Sequence, residues 1–237
     1  MNETYKVQVQ DLVDDLKAVF THAGLGGEAG EYKLLTQSFL YKFLNDKFLY
    51  QAKCLDEVNT YEHLLTLSKD DYDWLLEDIG TSTAWLKPDQ LIESLHRQQN
   101  EPTFYETFEN TLNQIAIDNN DIFSVHTDGD TAIRLFDERL ITDTISDSSK
   151  RNEVAKAIIN LLARVKFDET IFSQGFDFFS TLFEYMIKDY NKDGGGKYAE
   201  YYTPHSVAKI IADILVGDDK PSNVRIYDPS AGSGTLL

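Results

Sequence analysis

The sequence contains a single cysteine, Cys54, in 237 residues. One thiol excludes an intrachain disulfide and a cysteine-based zinc site, and it fits a reducing compartment. No run approaches the roughly 18 apolar residues that a spanning helix needs. The opening "MNETYKVQVQDLVDD" lacks a basic segment followed by an apolar one, so no signal peptide is expected. These absences predict a soluble, cytoplasmic protein with no membrane association and no metal site. Positive charge is also scarce, with 22 Lys and Arg against 40 Asp and Glu, a net charge of −18. The deficit is uneven: residues 1–150 hold 28 acids against 12 bases, and residues 151–237 hold 12 against 10. Nucleic-acid affinity comes largely from cations that displace counterions, so the first part should repel a DNA backbone by itself. There is no internal repeat or low-complexity segment, and none of the five prolines is followed by another.

What is present suffices for packed cores. Hydrophobic residues make up 42% of the chain and aromatics 12%, which excludes wholesale disorder. The first part reads as helices. In "VQDLVDDLKAVFTHAG", Val9, Leu12, Val13, Leu16, Val19 and Phe20 recur at three- and four-residue spacing, and Gly24 suits a stop. "YKLLTQSFLYKFLNDKFLY" repeats the pattern through Leu35, Phe39, Phe43 and Leu44. Ser68 with Asp71 three residues on resembles a capping box before "DYDWLLEDIG". Pro88 is placed to open "PDQLIESLHRQQ", and "TFYETFENTLNQIAI" continues the style. "HTDGDTAIRL" and "TDTISDSSK" read as connections around a short element. The expected organisation is an acidic helical domain over 1–150 and a second domain beginning at 151.

After about residue 150 the style changes. "NEVAKAIINLLARV" and "FDFFSTLFEYMIKDY" read as helices, the latter with Phe176, Phe179, Leu182, Phe183, Met186 and Ile187 on one side. Three consecutive glycines make "NKDGGGKYAE" a flexible loop. In "YYTPHSVAKIIADILVG", Thr203 suits an N-cap and Pro204 the first helical position. Val207, Ile210, Ile211, Ile214 and Leu215 form the expected buried stripe, and Gly217 the stop. "NVRIY" then reads as a short strand leading into "DPSAGSGT". Capped helix, strand and glycine loop in that order begin an α/β domain.

The loop "DPSAGSGT" fails two phosphate-binding patterns. A dinucleotide fingerprint needs a third glycine where Leu237 stands, and a P-loop needs a lysine after Gly234. What remains is a tight turn that lets backbone approach a ligand, with the Asp228 carboxylate at the strand end. That chemistry suits a ligand with an amino group and no phosphate. The loop resembles the D-P-x-x-G-[ST]-G signature of amino-group DNA methyltransferases, and "GKYAEYYTPHSVAKII" resembles their G-x-[FY]-[FY]-T-P segment. A helix N-terminus there can receive a carboxylate on its free N–H groups.

Together with "FDFFSTLFEYMI", the two motifs resemble the modification (methyltransferase) subunit of type I restriction-modification systems. The likeness is good over about 150–237 and rests on helical character before that. It implies a helical N-terminal domain followed by the start of a Rossmann-like, S-adenosylmethionine-dependent methyltransferase domain. It also implies a cofactor site over Glu200, Tyr201, Tyr202, Thr203, Pro204 and His205 and over Asp228, Pro229, Ser230, Ala231, Gly232, Ser233, Gly234 and Thr235. The family more often carries arginine at the His205 position. The implied reaction is methyl transfer from S-adenosylmethionine to the adenine N6 amino group. DNA would be reached through a complex with a specificity subunit, a second modification subunit and a restriction nuclease. Cytosine N4 transfer is the alternative target; cytosine C5 transfer would need a catalytic cysteine in Pro-Cys context, which Cys54 lacks. The family's catalytic [ND]-P-P-[YF] tetrapeptide is absent from these residues, so the chain alone is expected to be inactive. The competing expectation is a non-catalytic module in which the acidic helices mimic DNA or mediate assembly.

Overall fold

The computed structural model describes residues 3–27, 29–81, 83–123, 125–126, 132–167, 171–172, 203, 205–216 and 227–228. Two compact units divide the chain, Asp11–Phe176 on one side and Met1–Gln10 with Asp177–Leu237 on the other.

The helical unit follows the apolar stripes. Helix α1 (Glu3–Ala23) buries Val9, Leu12, Val13, Leu16 and Phe20, while Val19 is half-buried. Its stop is the expected one: Gly24 has φ +97°, and the Leu25 amide donates to the Phe20 carbonyl at 2.9 Å. A left-handed residue there satisfies carbonyls that the helix leaves open. Helix α2 (Ala29–Leu55) is buried on more than one face, with Leu34, Leu35, Phe39, Tyr41, Leu44 and Phe48 inside. Phe43, expected in that stripe, is half-buried and meets the Phe172 ring at 5.8 Å. The start of α2 lies close to the last residue of α8 (Leu140–Thr144): a Cβ on Gly30 would sit 2.7 Å from the Thr144 methyl.

Helix α3 is Tyr61–Leu64 and α4 is Lys69–Ile79. Ser68 caps α4 as expected, accepting from the Asp71 amide at 3.2 Å and donating to the Asp71 carboxylate at 2.7 Å. Pro88 behaves differently from expectation. It opens a single 3-10 turn, Pro88–Gln90, and α5 begins only at Ile92 and runs to Gln98. The Gln90 side chain accepts from the Lys87 amide at 2.8 Å, which closes the short turn on itself. Helix α6 (Phe104–Asp118) is followed by α7 (Asn120–Phe123) and a two-residue antiparallel pair, β1 (Val125–His126) with β2 (Ala132–Ile133). Helix α9 (Ser148–Arg164) packs on α5 and α6 and touches α2 and α8. Composition placed this helix with the following part, yet its buried Val154, Ala155, Ile158, Ile159 and Leu162 belong to the helical unit. The compact unit therefore runs past residue 150, to Phe176.

Side-chain amides stitch the connections to the helices. Asn119 is 1% exposed; it accepts from the Trp85 amide at 2.6 Å and donates to the Trp85 and Ile115 carbonyls at 2.8 and 2.9 Å. This copies a strand-like pairing without a strand and ties residues 83–87 to the end of α6. Glu109 accepts from the Thr142 amide at 2.5 Å and from its hydroxyl at 2.9 Å, which satisfies donors in the first turn of α8. Tyr41 and Tyr72 donate to the Gln90 and Leu86 carbonyls, both at 2.6 Å. Burial and the nearby Asp89 carboxylate hold both phenols well above their ordinary value.

In the second unit the structure describes α10 (His205–Val216), Thr203, Tyr227 and Asp228. The expected helix over 176–190, the glycine loop and the strand before Asp228 fall outside the described residues, except for Tyr227. No described helix is long and apolar enough to cross a membrane.

Two outcomes test this packing. Lys150 and Arg151 should resist trypsin until global unfolding, because Arg151 donates to the Ile145 and Thr142 carbonyls and α9 is packed. Early cleavage there, read by mass spectrometry, would show an open junction instead. Asp118 feels burial that raises its pKa, outweighed by hydrogen bonds from Lys87, Gln114 and Gln90 that hold it below 3.8. A depressed carboxylate stabilises the fold above its unfolded value and loses that contribution as pH falls through the folded one. Asp118→Asn should therefore lower the thermal midpoint at pH 7, and the gap to wild type should narrow below about pH 4.

Candidate functional site

The two segments singled out by sequence are described at three positions. Thr203 is half-buried just ahead of α10, which is described from His205. Asp228 is half-buried and follows Tyr227, which is 86% exposed. Glu200, Tyr201, Tyr202 and Pro204, and Pro229 through Thr235, lie outside the described residues. Helix α10 has twelve residues, long enough for its first amide groups and dipole to favour an anion at its N-terminus.

The buried stripe expected along α10 is a correction. Val207, Ile210, Ile211, Ile214 and Leu215 are all exposed, Ile214 and Leu215 by 74% and 80%. Ala208 is buried on this helix. Apolar spacing shows which face can be covered, but burial needs a second surface, and among the described residues none covers this face.

A cavity lies elsewhere, in the helical unit. It holds about 380 Å³ and is lined by Tyr50, Lys53, Tyr61, Ile92, Lys166 and Phe167 among others. Neither Thr203 nor Asp228 lines it. On its wall sits a polar cluster that no sequence expectation included. The Lys42 amine contacts both Asp46 oxygens, at 3.0 and 2.9 Å, with the two side chains 3% and 8% exposed. Asp46 Oδ1 also accepts from the Asn45 side chain at 2.8 Å, and Oδ2 from the Phe167 amide at 2.9 Å. Asn45 in turn accepts from the Ile92 amide at the start of α5, at 2.9 Å. Burial pushes the Lys42 pKa below 10.5, an effect partly offset by Asp46. Every Asp46 acceptor site is used within the protein, so the cluster holds structure together and offers no base for catalysis. The sequence signal for it was a lysine and an aspartate four residues apart among the apolar positions of α2.

With this geometry in place, residues 174–237 match the family model for N-6 DNA Methylase. The chain is also 23% identical over 241 residues to the type I restriction enzyme MpnII methylase subunit of Mycoplasma pneumoniae (strain ATCC 29342 / M129 / Subtype 1). That alignment covers 97% of this chain and 42% of the relative, so the chain spans less than half the relative's length. No solved structure matches it. The family match encloses both motifs, and the relative bears out the resemblance to a type I modification subunit.

The polar cluster gives a stability prediction. Asp46→Ala leaves the Lys42 charge buried without its carboxylate and frees two further donors. The expected loss is about 3–5 kcal/mol, read as a lower urea midpoint. A change below about 1 kcal/mol would show that the cluster is peripheral.

Proposed function

We propose that these residues are the front part of a type I modification subunit. Its reaction is methyl transfer from S-adenosylmethionine to the N6 amino group of adenine in DNA. One observation carries this: the segments around "YYTPHS" and "DPSAGSGT" both fall within the stretch that matches N-6 DNA Methylase. The methylase relative supports it across nearly the whole chain. The proposal includes a Rossmann-like sheet beginning at the strand before Asp228. It also includes a cytoplasmic complex with a specificity subunit, a second modification subunit and a nuclease subunit.

The residues present fit the cofactor by the chemistry of their donors and acceptors. S-adenosylmethionine supplies an electrophilic methyl group on a sulfonium, with a carboxylate and an ammonium and no phosphate. Free amides at the start of α10, with Thr203 ahead of them, suit the carboxylate. Asp228 suits the ammonium, and Gly232 and Gly234 let backbone come close without a side chain in the way. Tyr201 or Tyr202 can wall the site. The phosphate-binding lysine that a nucleotide would need is missing after Gly234. Recognition of the flipped adenine requires acceptors for its amino group and an aromatic to stack on it. The tetrapeptide that supplies them in the family is not in this sequence, so residues 1–237 alone transfer no methyl group.

The test is made in the subunit that carries this sequence, assembled with its partners. Asp228→Ala removes a charge-assisted hydrogen bond of about 1.5–3 kcal/mol. That corresponds to a roughly tenfold to hundredfold loss of cofactor affinity by calorimetry. Gly232→Val should lose more, because its side chain enters ligand space. Glu101→Gln with Asp121→Asn, at exposed positions of the helical unit, should leave affinity and DNA methylation unchanged. Normal affinity and transfer in both loop variants, with the fold intact, would reduce the loop to a turn and defeat the proposal.

A further inference from the structure

Helix α4 has two faces of different character. Tyr72, Leu75 and Ile79 are buried on one. On the other, Trp74 is 72% exposed, a large aromatic surface left in solvent. Residues three and four apart are neighbours on a helix surface. For Trp74 those neighbours are Asp70, Asp71, Glu77 and Asp78, and all four are exposed. Asp71 is engaged by the Ser68 cap, and Asp73 pairs with Lys69. Asp70, Glu77 and Asp78 have no ion-pair partner among the described residues.

Helix stability does not account for this arrangement. Asp70 and Asp71 favour the first turn, but Glu77 and Asp78 stand in the last, against the helix dipole. Carboxylates four apart, such as Asp73 and Glu77, also repel. A solvated acidic face would explain the charges without the indole. An indole flanked at helical spacing by carboxylates favours a cation, and best a guanidinium, which stacks on the ring while its edges bond the acids. Tryptophan and arginine are also the residues that most often dominate interface energetics.

We propose that the α4 face centred on Trp74 docks an arginine-bearing segment of a partner protein. Charge complementarity selects this occupant. Phosphate backbones and anionic lipid surfaces are repelled by the same carboxylates. A second copy would bring a chain of net charge −18 against itself. The surface lies within the helical unit, and its role stands independently of the methyltransferase proposal.

The 237-residue chain is titrated with a twelve-residue peptide of alternating alanine and arginine, acetylated and amidated at its ends. Binding is followed by fluorescence and by the two indole N–H resonances. The Trp74 resonance should move while that of Trp85, which donates to the Gly80 carbonyl at 2.7 Å, stays. Affinity should fall roughly tenfold in Trp74→Leu, as expected for loss of a cation–π contact of about 1–2 kcal/mol. A similar fall is expected in the triple variant Asp70→Asn, Glu77→Gln, Asp78→Asn. It should change less than twofold in Glu101→Gln, Asp121→Asn, Glu153→Gln, which removes the same charge elsewhere. Equal affinity in all variants would assign binding to diffuse charge and overturn the proposal. So would a Trp74 resonance that does not move. Self-association of the peptide-free chain that Trp74→Leu abolishes, seen by sedimentation, would give the face to a second copy and overturn it as well.

Discussion

A buried carboxylate with every acceptor site occupied organises the helical unit. Asp46 accepts hydrogen bonds from Lys42, from Asn45 and from the Phe167 amide, and Asn45 accepts in turn from the first amide of α5. Three parts of the chain meet there: the middle of α2, the start of α5 and the segment leaving α9. An ion pair removed from water costs free energy unless its geometry and its remaining hydrogen bonds are complete. Here they are, and the depressed Lys42 pKa records the desolvation that the arrangement has to offset. Aromatic residues of the same helix, nearby in sequence, pack against other rings. Tyr41 sets its ring edge-on to Phe108 at 6.2 Å, and Tyr50 stacks on Phe172 at 5.3 Å.

The helices were legible in the sequence because their signals are local. Spacing of Leu12, Leu16 and Phe20, the Ser68 cap and the Gly24 stop each act within one or two turns. The polar interior was not legible, because each of its residues is explained only by a distant partner. Asn119 answers Trp85 34 residues away, Glu109 answers Thr142 across 33, and Gln37 pairs with Asp137 across 100. Pro88 shows the same limit at short range. Its fixed backbone suits a first helical turn of either pitch. The Gln90 side chain closes a 3-10 turn, and α5 starts afterwards.

The candidate cofactor segments were read from chemistry that needs few residues: a helix start, a carboxylate and two glycines. The family match covers both of them. The stripe on α10 shows what such local chemistry leaves open. Val207, Ile210 and Ile214 mark a face suited to covering, but which surface covers it is a tertiary property that spacing cannot carry. The helical unit and the methylase-like segment also differ in charge, so the scarcity of cations belongs mainly to the helices.

The Asp46–Phe167 bond has a consequence for the order of events during synthesis. The two partners are 121 residues apart. At about 5–20 residues per second, roughly 6–24 s separate their appearance. Throughout that interval Lys42 and Asp46 belong to a nascent chain whose final backbone donor has not been made. Helix α2 can form early, but its polar centre lacks the Phe167 amide until the segment after α9 arrives. Translation therefore delays the locking of the helical unit until nearly all of that unit has been made.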